Sequence, residues 1–201
     1  MPHVVLLGDS IFDNGAYTGD GPDVITQLRA IVPDGWQATL LAVDGSTASG
    51  LVAQAARIPA GATHLVVSAG GNDALGHSSL LVAPARSAAE VLDQLSDAAA
   101  EFEADYRGGL AAVLARDLPT VVCTIYNGCS PDPAFQRRAT TALTLFNDVI
   151  LRVAFEHALA IIDLRLICTE DADYANPIEP SSHGGAKIAR AIANVLIRTY
   201  T

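Results

Sequence analysis

Short runs of apolar residues alternate with longer amphipathic stretches along most of this chain. Continuous apolar runs predict buried strands, whereas apolar residues spaced three and four apart predict one face of a helix. The predicted strands cover approximately residues 3–8, 37–43, 63–69, 120–125 and 159–164. This alternation is typical of βαβ units, in which helices join parallel strands.

Several polar residues mark where the helices start. Ser87 and Glu90 form a capping box ahead of a long amphipathic stretch. Pro22 and Pro133 stand where proline favours the first turn of a helix. The predicted helices begin near residues 22, 50, 87, 132 and 185. We therefore predict an α/β fold over residues 1–201, as one domain with a parallel sheet between two layers of helices.

Two of the predicted strands end in glycine turns that carry polar side chains. The first strand stops at Gly8-Asp9-Ser10, and the third stops at Gly70-Gly71-Asn72-Asp73. Ligands of an open parallel sheet bind just beyond the carboxyl ends of its strands. A serine can supply a nucleophile there and an asparagine amide can donate to an oxyanion, so the pair predicts one shared site. Without further motifs, the sequence favours Ser10 as a helix cap, and Asn72 can be a turn stabiliser.

The glycine turns belong to a set of motifs that resembles the SGNH (GDSL-type) hydrolases. Three blocks occur in the order of that family: Gly8-Asp9-Ser10, Asp44-Gly45-Ser46-Thr47 and Gly70-Gly71-Asn72-Asp73. The resemblance departs at the fourth block, which is Asp-x-x-His in the family. This chain reads Glu179-Pro180-Ser181-Ser182-His183, with the acid four residues before the histidine.

The resemblance implies a three-layer αβα sandwich with a five-stranded sheet in the flavodoxin-like order 2-1-3-4-5. It implies Ser10 as the nucleophile of an acyl-enzyme mechanism. The oxyanion donors would be the main-chain N–H groups of Ser10 and Gly45 and the side chain of Asn72. Gly45 can also be an ordinary turn glycine. No metal and no cofactor are implied.

A serine nucleophile needs a base, and His183 is the predicted one because it precedes the final helix on a loop that returns to the sheet. Glu179 is the predicted acid, with Asp171 and Asp173 as weaker candidates. A Ser–His dyad oriented by a backbone carbonyl is the alternative, and His77 is the reserve base. His183 and Glu179 can also be plain surface residues, which leaves the fourth block as the weak point.

The composition and charge of the chain limit the classes of partner that it is expected to bind. The net charge of −10 argues against nucleic acid and against an anionic membrane surface. No apolar run reaches the roughly 18 residues of a spanning helix. Because the first predicted strand starts at His3, no signal peptide is expected. Three cysteines without metal-ligand spacing are expected to be reduced thiols of a cytoplasmic protein, with a Cys123–Cys129 disulfide as the alternative.

These patterns predict an esterase that acts on a small-molecule ester with a short acyl group. Acyl length, alcohol and oligomeric state are left open by the sequence. A non-catalytic binding protein on the same scaffold is the alternative, since the triad acid is displaced and a fold does not fix a function. A flavodoxin-like electron carrier or receiver domain would also have five alternating strands, but it gives no reason for Asn72.

Overall fold

The structure, a computed structural model, describes the backbone of residues 1–200 and the side chains of residues 1–197. Five parallel strands form one sheet in the order β2-β1-β3-β4-β5. The strands are β1 His3–Gly8, β2 Gln37–Leu40, β3 His64–Ser68, β4 Thr120–Cys123 and β5 Ala160–Ile162. This arrangement confirms the predicted fold class and strand order.

Strand β2 is shorter than the predicted 37–43 because its pairing with β1 slips. The N–H groups of Leu41 and Ala42 both donate to the carbonyl of Leu6, at 2.8 and 3.0 Å. Two residues then lie opposite one, as in a β-bulge, and the regular ladder stops at Leu40. The chain still follows β1 as far as Val43, whose N–H donates to Gly8 at 3.1 Å.

Six helices connect or follow the strands in the described part of the chain. They are α1 Val24–Ile31, α2 Leu51–Ala55, α3 Gly71–Gly76, α4 Ala88–Leu114, α5 Pro133–Glu156 and α6 Ser182–Tyr200. The Ser87 hydroxyl accepts from the N–H of Glu90 at 3.1 Å, which confirms the predicted cap of α4. Two features differ from the prediction: α3 was not expected, and α6 begins at Ser182 rather than near 185.

Helices cover both faces of the sheet, as parallel sheets require. On one face, α1 and α6 pack over alternate residues of the strands, with Leu6, Leu28 and Ile188 fully buried. On the other face α2, α4 and α5 bury Leu7 and Phe102. Strands β1 and β3 are buried along their whole length, so they form the rigid centre from which the polar turns project.

A close backbone approach joins the ends of β1 and β3. Gly8 has a φ of +128°, and a Cβ there would overlap the carbonyl oxygen of Ser68. Only glycine combines that φ with that proximity. The approach brings the turn after β1 next to the turn after β3.

Two further features were expected from the sequence: free cysteine thiols and helices too short or too polar to span a membrane. Cys123, Cys129 and Cys168 are unpaired, so the alternative Cys123–Cys129 disulfide does not form. Across the described residues, no helix has both the length and the hydropathy to cross a bilayer.

Candidate active site

Ser10 and Asn72 lie in the same pocket, at the carboxyl ends of β1 and β3. Ser10 is 7% exposed and follows a turn in which the Asp9 carboxylate accepts a hydrogen bond from the N–H of Ile11 at 3.1 Å. Asp9 therefore orders the turn, as predicted. No described residue accepts a hydrogen bond from the main-chain N–H of Ser10, which leaves that donor for a ligand.

Asn72 stands on the first turn of α3 and connects the third motif to the second. Its side-chain amide donates to the carbonyl of Ser46 at 2.9 Å, which occupies one of its two protons. The neighbouring Asp73 accepts from the N–H of Ala48 at 3.0 Å and so holds the loop, as expected. Gly45 has a φ of +76° and forms the turn that precedes Ser46. No described residue accepts a hydrogen bond from the Gly45 N–H group.

Gln54 holds the end of β1 next to the segment that contains Ser46, and this role was not predicted from the sequence. Its side chain accepts from the N–H of Gly8 at 2.7 Å and donates to the carbonyl of the same residue at 2.8 Å. It also donates to the Ser46 hydroxyl at 3.2 Å. The only sequence signal was a glutamine on the inner face of α2, between Leu51 and Ala55.

Glu179 is the predicted triad member that the structure brings to Ser10. Ser10 and Glu179 line the same pocket, and Glu179 is only 6% exposed. Burial raises the pKa of Glu179 above its ordinary value, although its interaction with the Ser10 hydroxyl opposes this. A carboxylate thus lies where a serine nucleophile needs a base.

His183 is not brought to Ser10. It lies inside the first turn of α6, is 58% exposed, and is absent from the residues that line the Ser10 pocket. Its Nε2 atom is 3.7 Å from Asp173 and 3.8 Å from Glu170. The carboxylate beside His183 is therefore Asp173, one of the weaker candidates, and not Glu179.

The cluster around His183 has the donor types of a metal site, but it already contains a cation. Glu170, Asp173 and His183 each place one ligand atom within 4.8 Å of the others. The Lys187 ammonium group lies 2.8 Å from Asp173 and 2.9 Å from Glu170. Its positive charge neutralises these carboxylates, so the cluster is explained as an ion-pair network at the start of α6.

His77, the reserve base, does line the Ser10 pocket. Its Nε2 atom lies 3.7 Å from the Glu101 carboxylate of α4, and its ring is 6.4 Å from that of Phe146. No hydrogen bond joins His77 to Ser10 among the described residues. It is therefore placed in the wall of the pocket.

Asp9 is the most perturbed carboxyl group at the site. Burial is the largest cause that raises its pKa, from the ordinary 3.8 to about 7, and the charges of Glu179 and Asp73 add to it. The N–H of Ile11 acts in the opposite direction. Asp9 and Glu179 thus form a pair of buried carboxyl groups on either side of Ser10.

An apolar cavity opens beside these polar groups. Its volume is about 170 Å³, and it extends from Ser10 between the segment after α3, helix α4 and helix α5. Most of the side chains that line its inner part are aliphatic or aromatic: Leu75, Leu81, Leu95, Ile125, Phe135, Leu143 and Phe146. A hydroxyl and a carboxyl group at the mouth of an apolar cavity suit a ligand with one polar and one apolar end.

The model of the GDSL-like lipase/acylhydrolase family matches residues 6–186, which is most of the chain. The chain belongs to the GDSL-like lipase/acylhydrolase family. The predicted resemblance is thereby confirmed, and the matched part of this GDSL-like acylhydrolase contains Ser10, Asn72 and Glu179. No curated protein matches the chain.

Solved structures of lipases and esterases share the fold. The extracellular lipase from Streptomyces rimosus has a TM-score of 0.71 at 17% identity, over 96% of this chain and 99% of that one. Phospholipase A1 from Streptomyces albidoflavus has a TM-score of 0.71 at 16% identity, over 96% and 98%. A carbohydrate acetylesterase from Sinorhizobium meliloti has a TM-score of 0.66 at 13% identity, over 99% and 100%. At these identities the likeness concerns the fold.

Proposed function

We propose that this GDSL-like acylhydrolase cleaves carboxylic esters by attack of Ser10 on the acyl carbonyl. The observation that carries the proposal is the Ser10 hydroxyl beside the buried Glu179 carboxylate at the mouth of an apolar cavity. The neighbouring carboxylate activates a hydroxyl that is otherwise a weak nucleophile. The acyl-enzyme formed at Ser10 is then resolved by water.

The oxyanion is proposed to bind between three donors. These are the main-chain N–H groups of Ser10 and Gly45 and the side-chain amide of Asn72. Both N–H groups lack an acceptor among the described residues, and the amide has one proton left after its bond to Ser46. Fixed donors of this kind stabilise charge that develops in the transition state without reorganising.

The size of the cavity favours a substrate with a short apolar acyl group. Its volume of about 170 Å³ is close to the roughly 150 Å³ of an engineered cavity that binds benzene. An acyl chain of about six carbon atoms is of comparable size. The acidic surface, with a net charge of −10, favours neutral esters over anionic ones.

The test of this function is hydrolysis of p-nitrophenyl esters of increasing acyl length, together with labelling by a fluorophosphonate probe. We expect turnover that is greatest for short acyl groups, and covalent labelling that peptide mapping places on Ser10. Inhibition of turnover by the probe should parallel the labelling. Absence of both turnover and labelling would contradict the proposal.

A second candidate, a non-catalytic ligand-binding protein, is favoured by one observation: no hydrogen bond joins a histidine to Ser10 in the described part of the chain. The cavity can bind an apolar group whether or not Ser10 reacts. The probe separates the two candidates, because only an activated serine labels.

Replacing Asn72 with alanine should lower kcat by about 10²–10³-fold, the usual loss for one oxyanion donor. KM should change little, since the donor acts on charge that develops after binding. Steady-state kinetics and a thermal melt of the same samples measure the two effects. If the melting temperature falls while kcat is retained, Asn72 is a turn stabiliser that holds Ser46.

A further inference from the structure

The buried carboxylate of Glu179 is the feature that the expected mechanism leaves unexplained. It lines the same pocket as Ser10 and interacts with the Ser10 hydroxyl, and its Oε2 atom is buried without a hydrogen-bond partner among the described residues. Buried polar atoms are nearly always paired, and the exceptions concentrate where chemistry needs them. An acidic side chain that only oriented a histidine would contact that histidine, whereas His183 is held by Asp173 and Glu170.

The three-residue spacing of the family's fourth motif fits this chain when it is counted from Asn176 and not from Glu179. The family pattern places its histidine three residues after an acid. In this chain Asn176 and Glu179 stand three residues apart, so Glu179 takes the position of the histidine and Asn176 that of the acid. The distance from Glu179 to His183 is four residues, which does not fit the pattern.

Asn176 fixes Glu179 through the backbone. Its Oδ1 atom accepts from the N–H groups of Ile178 and Glu179, both at 2.9 Å. The Tyr126 hydroxyl donates to the carbonyl of Ile178 at 2.6 Å, and the Asn14 amide donates to that of Pro180 at 3.1 Å. The loop that carries Glu179 is therefore anchored on both sides of it.

We infer that the Glu179 carboxylate, and not the imidazole of His183, is the general base of the proposed hydrolysis. The inference rests on the proposed function, which it deepens by naming the group that takes the Ser10 proton. Glu179 is then a catalytic residue, because it contacts the reacting hydroxyl. Asn176 is a positioning residue.

Glu179 can take and return every proton that the two halves of the reaction require. As the Ser10 Oγ–carbon bond forms, the Oγ proton moves to the carboxylate and the carbonyl oxygen becomes the oxyanion. The bond to the alcohol then breaks, and the Glu179 carboxylic acid gives its proton to the departing oxygen. In the second half, Glu179 takes a proton from water as the water oxygen attacks the acyl carbon, and returns it to Oγ when the acyl bond breaks.

The surroundings of Glu179 favour this use. Burial is the largest cause that raises its pKa, and the charge of Asp44 adds to it, so the carboxylate is more basic than an exposed glutamate. The ionisable groups whose charges interact with Glu179 are Asp9, Tyr17, Asp44 and Tyr126. None of these four groups is a cation.

The experiment compares the same substitution at two carboxylates. Glu179→Gln should lower kcat for p-nitrophenyl esters by about 10²–10⁴-fold, the usual contribution of a general base. Glu170→Gln, which alters the exposed partner of His183, and His183→Gln should leave kcat unchanged. Fluorophosphonate labelling of Ser10 should slow in Glu179→Gln only. Retained hydrolysis in Glu179→Gln, or an equal loss in His183→Gln, would overturn the inference.

A measurement on the unaltered chain keeps the test independent of how the variants fold. The acid limb of kcat/KM against pH should hardly move with temperature, because carboxyl ionisation has an enthalpy close to zero. An imidazole base would shift the limb to lower pH on warming, and that result would overturn the inference.

Failure of the proposed function can be told apart from failure of this inference. If the unaltered chain neither hydrolyses esters nor is labelled by the probe, the proposed function and this inference are both wrong. If activity survives in Glu179→Gln, only this inference is wrong.

Discussion

Replacing Ser10 with alanine should lower kcat for p-nitrophenyl esters by about 10⁴–10⁶-fold, as expected when the nucleophile of an acyl-enzyme mechanism is removed. The substitution deletes one hydroxyl group whose contact is the Glu179 carboxylate. The donors that would bind the oxyanion remain, so a small residual rate over the uncatalysed reaction is expected. Initial rates with active-site titration measure the loss.

Ser49→Ala is the matched control, because Ser49 is an exposed serine outside the pocket. It should keep the activity of the unaltered chain. Fluorophosphonate labelling should disappear in Ser10→Ala and persist in the control. Turnover that survives in Ser10→Ala would remove the serine mechanism, and the esterase activity would then need another nucleophile.

Replacing Asp9 with asparagine should remove a pH dependence of stability. In the unfolded chain Asp9 ionises near 3.8, whereas burial raises its pKa to about 7 in the native state. Between those values the native state holds a proton that the unfolded chain has lost. The free energy of unfolding therefore falls as pH rises from about 4 to 7, by up to about 4 kcal/mol.

Asparagine cannot ionise, yet it can still accept from the N–H of Ile11. The free energy of unfolding of Asp9→Asn minus that of the unaltered chain should therefore rise between pH 4 and 8. Urea denaturation at a series of pH values measures this difference. Ser49→Ala, which alters an exposed residue and removes no ionisable group, is the control and should give a difference that does not vary with pH. A constant difference for Asp9→Asn would mean that Asp9 is not held protonated.

The centre of the fold could be predicted from the sequence because the information there is local. Uninterrupted apolar runs mark β1 and β3, and glycines mark the turns that place Ser10 and Asn72 at the same edge of the sheet. Helix α3 escaped prediction because Gly70 and Gly71 indicate a turn, and glycine is a poor helix former. The polar contacts of Gln54 were also hidden, since they join residues far apart in the sequence.

The fourth motif was assigned to His183 because that residue has the family's residue type and the predicted start of α6 left it on a loop. A helix that starts near 185 leaves His183 on the loop, free to turn toward the sheet. The helix starts at Ser182 instead, and this takes His183 into its first turn beside Asp173. Glu179 remains in the preceding loop, where Pro180 bridges to Tyr174. A boundary shift of three residues thus decides which side chain reaches Ser10.

The anchoring of the loop around Glu179 has an evolutionary consequence. Asn176, Tyr126 and Asn14 hold its main chain, so the path of the loop does not depend on the side chain at position 179. A single codon change there can exchange one proton acceptor for another while the scaffold is inherited intact. The pH range in which Ser10 is activated can therefore change through one side chain without a change in the backbone that presents it.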